Sequence, residues 1–230
     1  MQALAKDPGD RFASVQVFAR MLEQTCQSKQ PEAQFISSVT NQATILPPKS
    51  STTPQMETQV DHLLQEARIL RKYNRLDEAT AVYEKVFQID NSNPLAWQEH
   101  GLVEGQRVRH QNALKSFERA LQLDPSLVIS WNGKGNVFYK LGDYAKALET
   151  YERALLLNPK MASAWHNKSL VLKQMRRHQE ALAAAEEAIR LSPNDPDNWQ
   201  RKAEALRQLR RHNDARVAEA EVLRLRAGQK

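Results

Sequence analysis

The sequence predicts an all-α protein: a solenoid of five helix-turn-helix repeats, preceded by a short helix and a disordered linker. The first observation is a period of 34 residues between the four tryptophans of the chain, Trp97, Trp131, Trp165 and Trp199. The second is an alanine with the same period, in the column Ala79, Ala113, Ala147, Ala181 and Ala215. The third is a small residue in the column Ala67, Gly101, Gly135, Ser169 and Ala203. A period of this length is typical of solenoids, whose units bury their apolar faces against each other.

The composition narrows the class of protein. The chain has 230 residues, of which 41% are hydrophobic and 26% charged, so one or two domains are expected. Cys26 is the only cysteine, which excludes an internal disulfide and a cysteine-based zinc site and favours a cytoplasmic protein. No apolar run is long enough to span a bilayer, and the first residues lack the apolar stretch of a secretory signal. The formal net charge of +6 permits an acidic partner without requiring nucleic acid.

Residues 1–26 form the first predicted element, a turn followed by a short helix. Val15, Phe18 and Met21 recur at the spacing of one helical face. An isolated amphipathic helix is one interpretation of this pattern.

A second interpretation comes from a resemblance. Residues 2–25 resemble the C-terminal end of a bacterial, eukaryotic-like Ser/Thr protein kinase domain. The motifs that carry the resemblance are Lys6-Asp7-Pro8, Asp10-Arg11-Phe12 and the helix that follows. In that family the arginine at the position of Arg11 pairs with a buried glutamate, and this chain has no such glutamate. The chain also lacks the glycine-rich loop, the catalytic aspartate motif and the Asp-Phe-Gly motif of a kinase. The resemblance therefore implies a remnant of a kinase domain, without catalysis in this chain.

Residues 27–58 are predicted to be a flexible linker. Twenty of these 32 residues are Gln, Ser, Thr, Pro or Asn, and no apolar periodicity is present. Such a segment buries too little apolar surface to offset the entropy lost on ordering. Pro47, Pro48 and Pro54 are expected to prevent a helix.

Residues 59–230 are predicted to form the repeats. The expected bounds of the five units are 60–93, 94–127, 128–161, 162–195 and 196–229. In the third repeat, apolar residues recur every three or four positions from Ala147 to Leu155, which predicts the second helix of the pair. Gly142 and Asp143 are expected to form the turn before this helix, with Asp143 as its cap, and Pro159 to end it.

The repeats resemble the tetratricopeptide repeat (TPR) over residues 60–229. In the third repeat the pattern consists of Trp131, Gly135 and Phe138 on the first helix, Ala147, Tyr151 and Ala154 on the second, and Pro159 after it. The first and last repeats depart from the pattern at Leu63, Asn91, Glu219 and Ala227. The resemblance implies a right-handed superhelix of helix pairs. Its first helices would line a concave groove that binds peptides or protein segments, and the family is not enzymatic in itself.

A partner-binding groove is therefore expected on the solvent-facing side of the first helices. Its candidate residues are Arg68, Arg71, Lys72, Asn132, Asn136, Tyr139, Lys140, Asn167, Lys173, Arg201 and Arg207. Cations outnumber carboxylates on this face, so the expected partner is an acidic protein or peptide segment.

The TPR family also has a carboxylate clamp, made of two lysines, two asparagines and an arginine. Asn136, Asn167 and Arg201 match three of its positions, while Asn132 and Asp197 occupy the two lysine positions. Without the lysines a clamp loses most of its charge attraction, so we do not expect one here.

Two further motifs are interpreted as structural. The run from Asn132 to Asn136 contains two glycines and a lysine, but a phosphate-binding loop needs a preceding strand, so helix packing is the simpler interpretation. His110, His178 and His212 share a column, but repeats stacked one helix diameter apart cannot bring them to one metal ion. No metal or cofactor is therefore expected.

The turns between paired helices carry a second group of cations, which we call the turn ridge. It consists of Lys72, Arg75, Arg107, Arg109, Arg176, Arg177, Arg210 and Arg211. Cations at the C-terminal ends of the first helices complement the helix dipole, so the ridge is expected to be structural. Contact with an acidic or phosphorylated partner is the alternative.

Taken together, these features predict a non-catalytic protein–protein interaction scaffold, and the kinase resemblance implies the recruiting or sensing arm of a Ser/Thr protein kinase. One alternative places the chain in the enzyme class, as a fragment of such a kinase. Nucleic-acid binding through the turn ridge is a third interpretation, but beyond Tyr139 the sequence offers no aromatic platform for single strands. No membrane contact is expected.

Overall fold

The computed structural model describes residues 54–228, which form ten α-helices and no strand. The helices form five pairs: α1 Pro54–Lys72 with α2 Leu76–Ile89, α3 Pro94–Gln106 with α4 His110–Leu123, α5 Val128–Lys140 with α6 Tyr144–Leu157, α7 Ala162–Gln174 with α8 His178–Leu191, and α9 Pro196–Gln208 with α10 His212–Ala227. The predicted all-α solenoid of five helix-turn-helix repeats is confirmed for this part of the chain. The predicted N-terminal helix in residues 1–26, and the linker up to residue 53, lie outside the described residues.

The expectation that Pro54 prevents a helix is wrong. Helix α1 begins at Pro54 and is 19 residues long, so residues 54–58 of the predicted linker are helical. Proline is tolerated in the first turn because the first N–H groups of a helix have no partner inside it, and because its fixed φ suits a helix. The buried side chains of Val60, Leu64 and Ala67 then hold α1 against the rest of the first repeat.

The helices form two layers. Each second helix packs against the first helix of its own repeat and, in the first four repeats, against the first helix of the next. First helices of consecutive repeats also contact each other directly, from α3 through α5 and α7 to α9. In a curved array, the layer whose members approach each other most closely is the concave one. The first helices therefore form the concave inner layer, and the second helices form the outer layer.

The periodic small residues lie where paired helices cross. Every alanine in the column that begins with Ala79 is at most 2% exposed. Gly135 shows why size matters, since an added Cβ would lie 2.6 Å from Cε1 of Tyr151. Gly133 and Gly135 both lie inside α5 and face aromatic rings, which agrees with the packing interpretation of this glycine-containing run.

The four tryptophans close the junctions between repeats. The indole Nε1 of each donates a hydrogen bond to the backbone oxygen of the residue six positions earlier. The acceptors are Asn91, Pro125, Pro159 and Pro193, at 2.8, 2.9, 2.8 and 2.8 Å. Each tryptophan thus ties the start of one repeat to the end of the preceding one, a role that the spacing alone did not predict.

A second periodic contact also links neighbouring repeats. A lysine on a first helix forms an ion pair with a glutamate on the preceding second helix, 16 residues earlier in the chain. The pairs are Lys134–Glu118 at 3.1 Å, Lys168–Glu152 at 2.8 Å and Lys202–Glu186 at 2.9 Å. The glutamates are about half exposed, so each pair contributes at most about 1 kcal/mol.

Each turn between paired helices contains one residue in the left-handed backbone region. These residues are Asn74, Val108, Gly142, Arg176 and Arg210, with φ from 59° to 79°. Gly142 forms the predicted turn, and Asp143 caps α6 by accepting a hydrogen bond from the backbone N–H of Lys146. The other four repeats make the same turn without glycine. For a β-branched residue such as Val108 this conformation is strained, by roughly 1–2 kcal/mol.

Replacing Val108 with asparagine is expected to raise the free energy of unfolding by about 1 kcal/mol, because asparagine tolerates the left-handed region. Val108 is 65% exposed, so little packing is lost. The measurement is urea-induced unfolding of the full chain, followed by circular dichroism. The reverse change, Asn74→Val, should lower stability by a similar amount. Equal stability of both variants and the wild type would show that this turn is not strained.

Candidate partner-binding groove

All the predicted groove residues lie on four helices of the inner layer. Helix α1 carries Arg68, Arg71 and Lys72; α5 carries Asn132, Asn136, Tyr139 and Lys140; α7 carries Asn167 and Lys173; and α9 carries Arg201 and Arg207. According to their contacts, these residues fall into three groups. Some cations are paired with carboxylates, the polar residues form hydrogen bonds with other side chains, and the remaining cations have no ion pair among residues 54–228.

Arg68 is paired with a carboxylate of the next repeat. Its Nε lies 2.8 Å from Oε1 and 3.1 Å from Oε2 of Glu99, and the hydroxyl of Tyr83 donates to the same carboxylate at 3.0 Å. Nη2 of Arg68 also lies 2.8 Å from Oε1, and hydrogen bonds between two charged groups are among the stronger ones. Arg68 therefore links α1 to α3 and leaves little free charge for a partner.

The cations of α7 and α9 are paired as well. Nζ of Lys173 lies 2.7 Å and Nη1 of Arg201 lies 3.0 Å from Oε2 of Glu204, and Arg207 lies 2.5 Å from Glu219. Burial raises the pKa of Glu204, but Lys173 and Arg201 outweigh it and hold that pKa below its ordinary value of 4.5. The carboxylate is thus ionised at neutral pH, and the positive character expected for this end of the groove is largely cancelled.

The groove asparagines bond to each other. Nδ2 of Asn167 donates to Oδ1 of Asn132 at 3.1 Å and to Oδ1 of Asn136 at 2.9 Å. The hydroxyl of Tyr151 also donates to Oδ1 of Asn136, at 2.6 Å. With these amides engaged and Arg201 held by a carboxylate, the residues that match the carboxylate clamp do not converge on one free site. Asn136 still has its Nδ2, which bonds to no other described residue.

Tyr139 packs against the turn of its own repeat. Its ring lies 5.7 Å from the ring of Tyr144, and Nε2 of Gln174 donates to its hydroxyl at 3.4 Å. The residue is partly buried, so only part of its surface is available to a partner. It is therefore a weaker candidate for a contact residue than its place at the centre of the array suggests.

Arg71, Lys72 and Lys140 form no ion pair or hydrogen bond with another described side chain. Arg71 and Lys140 also line a pocket of about 190 Å³ in the inner layer. The walls of this pocket come from α1, α3, α4 and α5 and include Leu102, Phe117 and Val137. The predicted cations thus coincide with a cavity that sequence reasoning missed.

Three glycines, Gly101, Gly105 and Gly133, line this pocket. Added Cβ atoms at Gly101 and Gly133 would lie 2.8 Å and 2.5 Å from ring atoms of Phe117, so these glycines admit the ring. Gly105 has no atom within 4 Å of an added Cβ, so its missing side chain leaves open space. In the column of Gly105 the other repeats carry Arg71, Tyr139, Lys173 and Arg207. This interruption of the column was the sequence signal that could have located the cavity.

The turn ridge is less positive than its composition indicates. Three of its arginines stand just before a second helix and form an ion pair with the acid three residues later. The pairs are Arg75–Glu78 at 2.5 Å, Arg177–Glu180 at 2.7 Å and Arg211–Asp214 at 2.6 Å. The helix dipole is thus not the only structural reason for the ridge, and the charge left to a partner along it is reduced.

Arg107 belongs to a buried polar network that sequence reasoning missed. Glu104 is 1% exposed and accepts hydrogen bonds from Thr80 at 3.0 Å, from Arg107 at 2.7 Å and from Asn112 at 3.0 Å. Arg107 also bonds to Asp77. Burial raises the pKa of Glu104, but the three hydrogen bonds outweigh it and lower that pKa below its ordinary value of 4.5. The contacts with Thr80 and Asp77 join this network of the second repeat to the first repeat.

The periodic columns show what the network replaces. The residues at the position of Glu104 in the other repeats are Leu70, Phe138, Leu172 and Leu206, and those at the position of Arg107 are Tyr73, Leu141, Met175 and Leu209. Both columns are otherwise apolar or aromatic. A charge in one such column, matched by an opposite charge three residues later, could have identified the pair from the sequence.

Neither a metal centre nor a membrane span is found in the part of the chain that the structure describes. No group of three or more His, Cys, Asp or Glu side chains there could hold a metal ion. No described helix has the length and apolar character needed to cross a bilayer.

Comparison with protein families supports the repeat assignment. The family model described as a tetratricopeptide repeat matches residues 132–196 and 166–230. These overlapping matches fall on the third, fourth and fifth repeats. A search of curated proteins found no match.

Solved structures extend the likeness to the first two repeats. MamA from Desulfovibrio magneticus RS-1 is 19% identical, with 74% of this chain and 97% of that chain covered and a TM-score of 0.68. The pilF protein of Pseudomonas aeruginosa is 22% identical, with 74% and 78% covered and a TM-score of 0.69. YrrB, described as a TPR protein with an unusual peptide-binding site, is 20% identical, with 74% and 91% covered and a TM-score of 0.60. At these identities the likeness concerns the fold alone, which is that of a TPR solenoid, and the family match assigns tetratricopeptide repeats to residues 132–230.

Proposed function

We propose that this TPR array is a non-catalytic scaffold whose concave groove binds an acidic peptide or protein segment. The observation that carries the proposal is the distribution of free charge in the groove. Four of the predicted cations are paired with the three carboxylates of Glu99, Glu204 and Glu219, with Lys173 and Arg201 sharing Glu204, so one of their four charges is left over. Three predicted cations, Arg71, Lys72 and Lys140, have no such partner among the described residues, and two of them, Arg71 and Lys140, line the pocket between α1 and α5. The acidic segment therefore binds across the first three repeats.

Charge and burial affect different quantities in this binding mode, namely the association rate and the affinity. Exposed cations raise the rate of encounter with an acidic partner more than they raise the affinity, and salt screens their effect. The affinity comes chiefly from groups that are removed from water in the complex. The groove offers such a place only where its surface is concave and partly apolar, which is the pocket beside Arg71 and Lys140. Micromolar binding with a marked salt dependence follows from this combination.

The wider setting of the scaffold is a second part of the proposal. The resemblance of residues 2–25 to the end of a Ser/Thr kinase domain supports a role as the recruiting or sensing arm of such a kinase, and the single cysteine supports a cytoplasmic location. The test is to read the coding sequence upstream of Met1. A glycine-rich loop, a catalytic aspartate motif and an Asp-Phe-Gly motif in the same reading frame are expected, and an upstream reading frame without them would refute this part.

Peptide selection tests the groove. Short random peptides displayed on phage are selected on the full chain, and the enriched peptides are synthesised and titrated at low and high salt. Reversing the free groove cations, in the variant Arg71→Glu/Lys140→Glu, is expected to weaken binding at least about tenfold at low salt and less at high salt.

A matched variant keeps this test specific. Arg176→Glu/Arg210→Glu makes the same change in net charge on the turn ridge, where both residues are exposed. If the groove binds the segment, this variant retains most of the affinity. A greater loss of affinity in the ridge variant than in the groove variant would place the binding surface on the ridge and refute the proposal.

A further inference from the structure

We propose that the pocket between α1, α3 and α5 takes one large apolar side chain of the bound segment, with acidic residues close to it on either side. This inference rests on the groove function proposed above and adds to it the class of sequence that the groove selects. Three properties of the pocket carry it: its size, its apolar wall, and the position of the unpaired cations Arg71 and Lys140.

The size fits one side chain. The pocket measures about 190 Å³. Sites for small-molecule ligands and cofactors are typically about 300–1,000 Å³, whereas an engineered apolar cavity of about 150 Å³ is large enough for benzene. The pocket is therefore small for a cofactor and large enough for a leucine, methionine or phenylalanine side chain.

The lining favours an apolar group in the interior of the pocket. Leu102, Phe117 and Val137 contribute apolar surface, and the glycines contribute only backbone and Cα atoms. Removing a large apolar side chain from water stabilises a complex by about 1.5–3 kcal/mol when the side chain is fully buried. A charged side chain against Leu102, Phe117 and Val137 would lose its hydration, whereas a carboxylate beside Arg71 and Lys140 gains charged partners.

The rim favours acidic neighbours. Arg71 reaches the pocket from α1 and Lys140 from α5, so the cations stand on two helices with α3 between them. Neither has an ion pair among the described residues. Nδ2 of Asn136, which also lines the pocket, is a free donor for a backbone carbonyl or a carboxylate oxygen. An apolar residue inserted into the pocket thus brings the groups beside it within reach of two cations and an amide.

The fourth and fifth repeats do not repeat this arrangement. At the position of Gly105 they carry Lys173 and Arg207, and both of these side chains are held by glutamates. At the position of Gly133 they carry Asn167 and Arg201. Long side chains occupy the corresponding places, so the pocket anchors the segment at the seam between the second and third repeats.

The variant Gly105→Leu tests the pocket directly. An added Cβ at Gly105 meets no atom within 4 Å, so the leucine can enter the pocket without displacing the fold. Peptides selected on the wild-type full chain are expected to contain a large apolar residue with acidic residues within a few positions. Gly105→Leu is expected to weaken their binding at least about tenfold, and replacing the apolar residue of the peptide with serine should cause a similar loss.

A control variant separates the pocket from a general effect of an added leucine. Gln208→Leu places the same side chain on an exposed position of α9, in the same inner layer but away from the pocket. It should bind the selected peptides as the wild type does. Thermal unfolding of each variant shows that the comparison is made between folded proteins.

The possible outcomes distinguish this inference from the function on which it rests. Peptides that lose affinity with Arg71→Glu/Lys140→Glu and also with Gly105→Leu support both. Peptides that depend on the two cations but bind Gly105→Leu normally would overturn the pocket inference and leave the groove function standing. A failure to select any peptide that depends on the groove cations would overturn both.

Discussion

Replacing Glu104 with alanine is expected to lower the free energy of unfolding by about 3–5 kcal/mol, because the guanidinium of Arg107 loses its buried carboxylate partner and keeps only the exposed carboxylate of Asp77. Glu104 is 1% exposed, and the side chain of Arg107 is only 9% exposed. The lost hydrogen bonds with Thr80 and Asn112 add to the effect. Urea-induced unfolding of the full chain measures the change. A loss below about 1 kcal/mol would mean that water readily reaches Arg107 and that the pair is not structurally important.

A double variant separates an unpaired charge from a lost contact. Glu104→Leu/Arg107→Leu installs the kind of residue that other repeats carry in these two columns, and a buried ion pair replaced by well-packed apolar residues is often neutral or stabilising. No buried polar group is stranded, because Thr80 keeps its hydrogen bond to the backbone oxygen of Leu76 at 3.1 Å and Asp77 is 86% exposed. The double variant should therefore be far more stable than Glu104→Ala. If the double variant is as unstable as Glu104→Ala, the network stabilises the fold by more than the mutual compensation of its charges.

The pH dependence provides a second test of the same network. The pKa of Glu104 is lowered in the folded protein, so the unfolded chain binds a proton on this residue more readily than the folded one does. The stability that the carboxylate contributes is complete above its ordinary pKa of 4.5 and is lost as the pH falls through the lower folded value. The difference in the free energy of unfolding between the wild type and Glu104→Ala should thus be constant at neutral pH and shrink below pH 4.5.

Two identical substitutions at glycines of one pocket should change stability in opposite directions. Gly133→Leu is expected to lower the free energy of unfolding by about 1–3 kcal/mol or more, because the added Cβ would lie 2.5 Å from Cζ of Phe117. Gly105→Leu should raise it by about 0.5–1 kcal/mol, because glycine weakens a helix and nothing obstructs the new side chain. Thermal and urea-induced unfolding of the two variants measures both signs. A loss of the same size at both positions would show that the pocket beside Gly105 is closed in solution.

A double-mutant cycle identifies the ring of Phe117 as the obstacle. Gly133→Ala introduces only the Cβ, and its effect can be compared in the wild type and in a Phe117→Leu background, where the flexible side chain can move aside. The substitution should be destabilising with Phe117 present and markedly less so without the ring. Identical effects in the two backgrounds would mean that another part of the neighbourhood resists the added methyl group.

The period of 34 residues was enough to predict the architecture. Ala147 and Gly135 recur in their columns because the crossing of two helices leaves no room for a larger side chain, and that constraint appears directly as a residue type at a fixed spacing. The same alignment placed the groove residues on the first helices, since residues with one spacing in every repeat must share one face. Pro54 was misread because composition does not distinguish a linker from the first turn of a helix.

The sequence by itself thus determined the solenoid, its five helix pairs and the face on which a partner is expected. Only the tertiary structure decided which groove charges are free. Arg68 and Lys173 are each paired with a glutamate 31 residues away on the next first helix, and such pairing depends on side-chain conformations and interhelical distances that periodicity does not specify. The pocket beside Gly105 arose in the same way, because a cavity exists only where three helices and the ring of Phe117 leave a volume unfilled. A repeating pattern specifies the face on which each residue lies, whereas the chemistry of a site depends on how the side chains of that face meet.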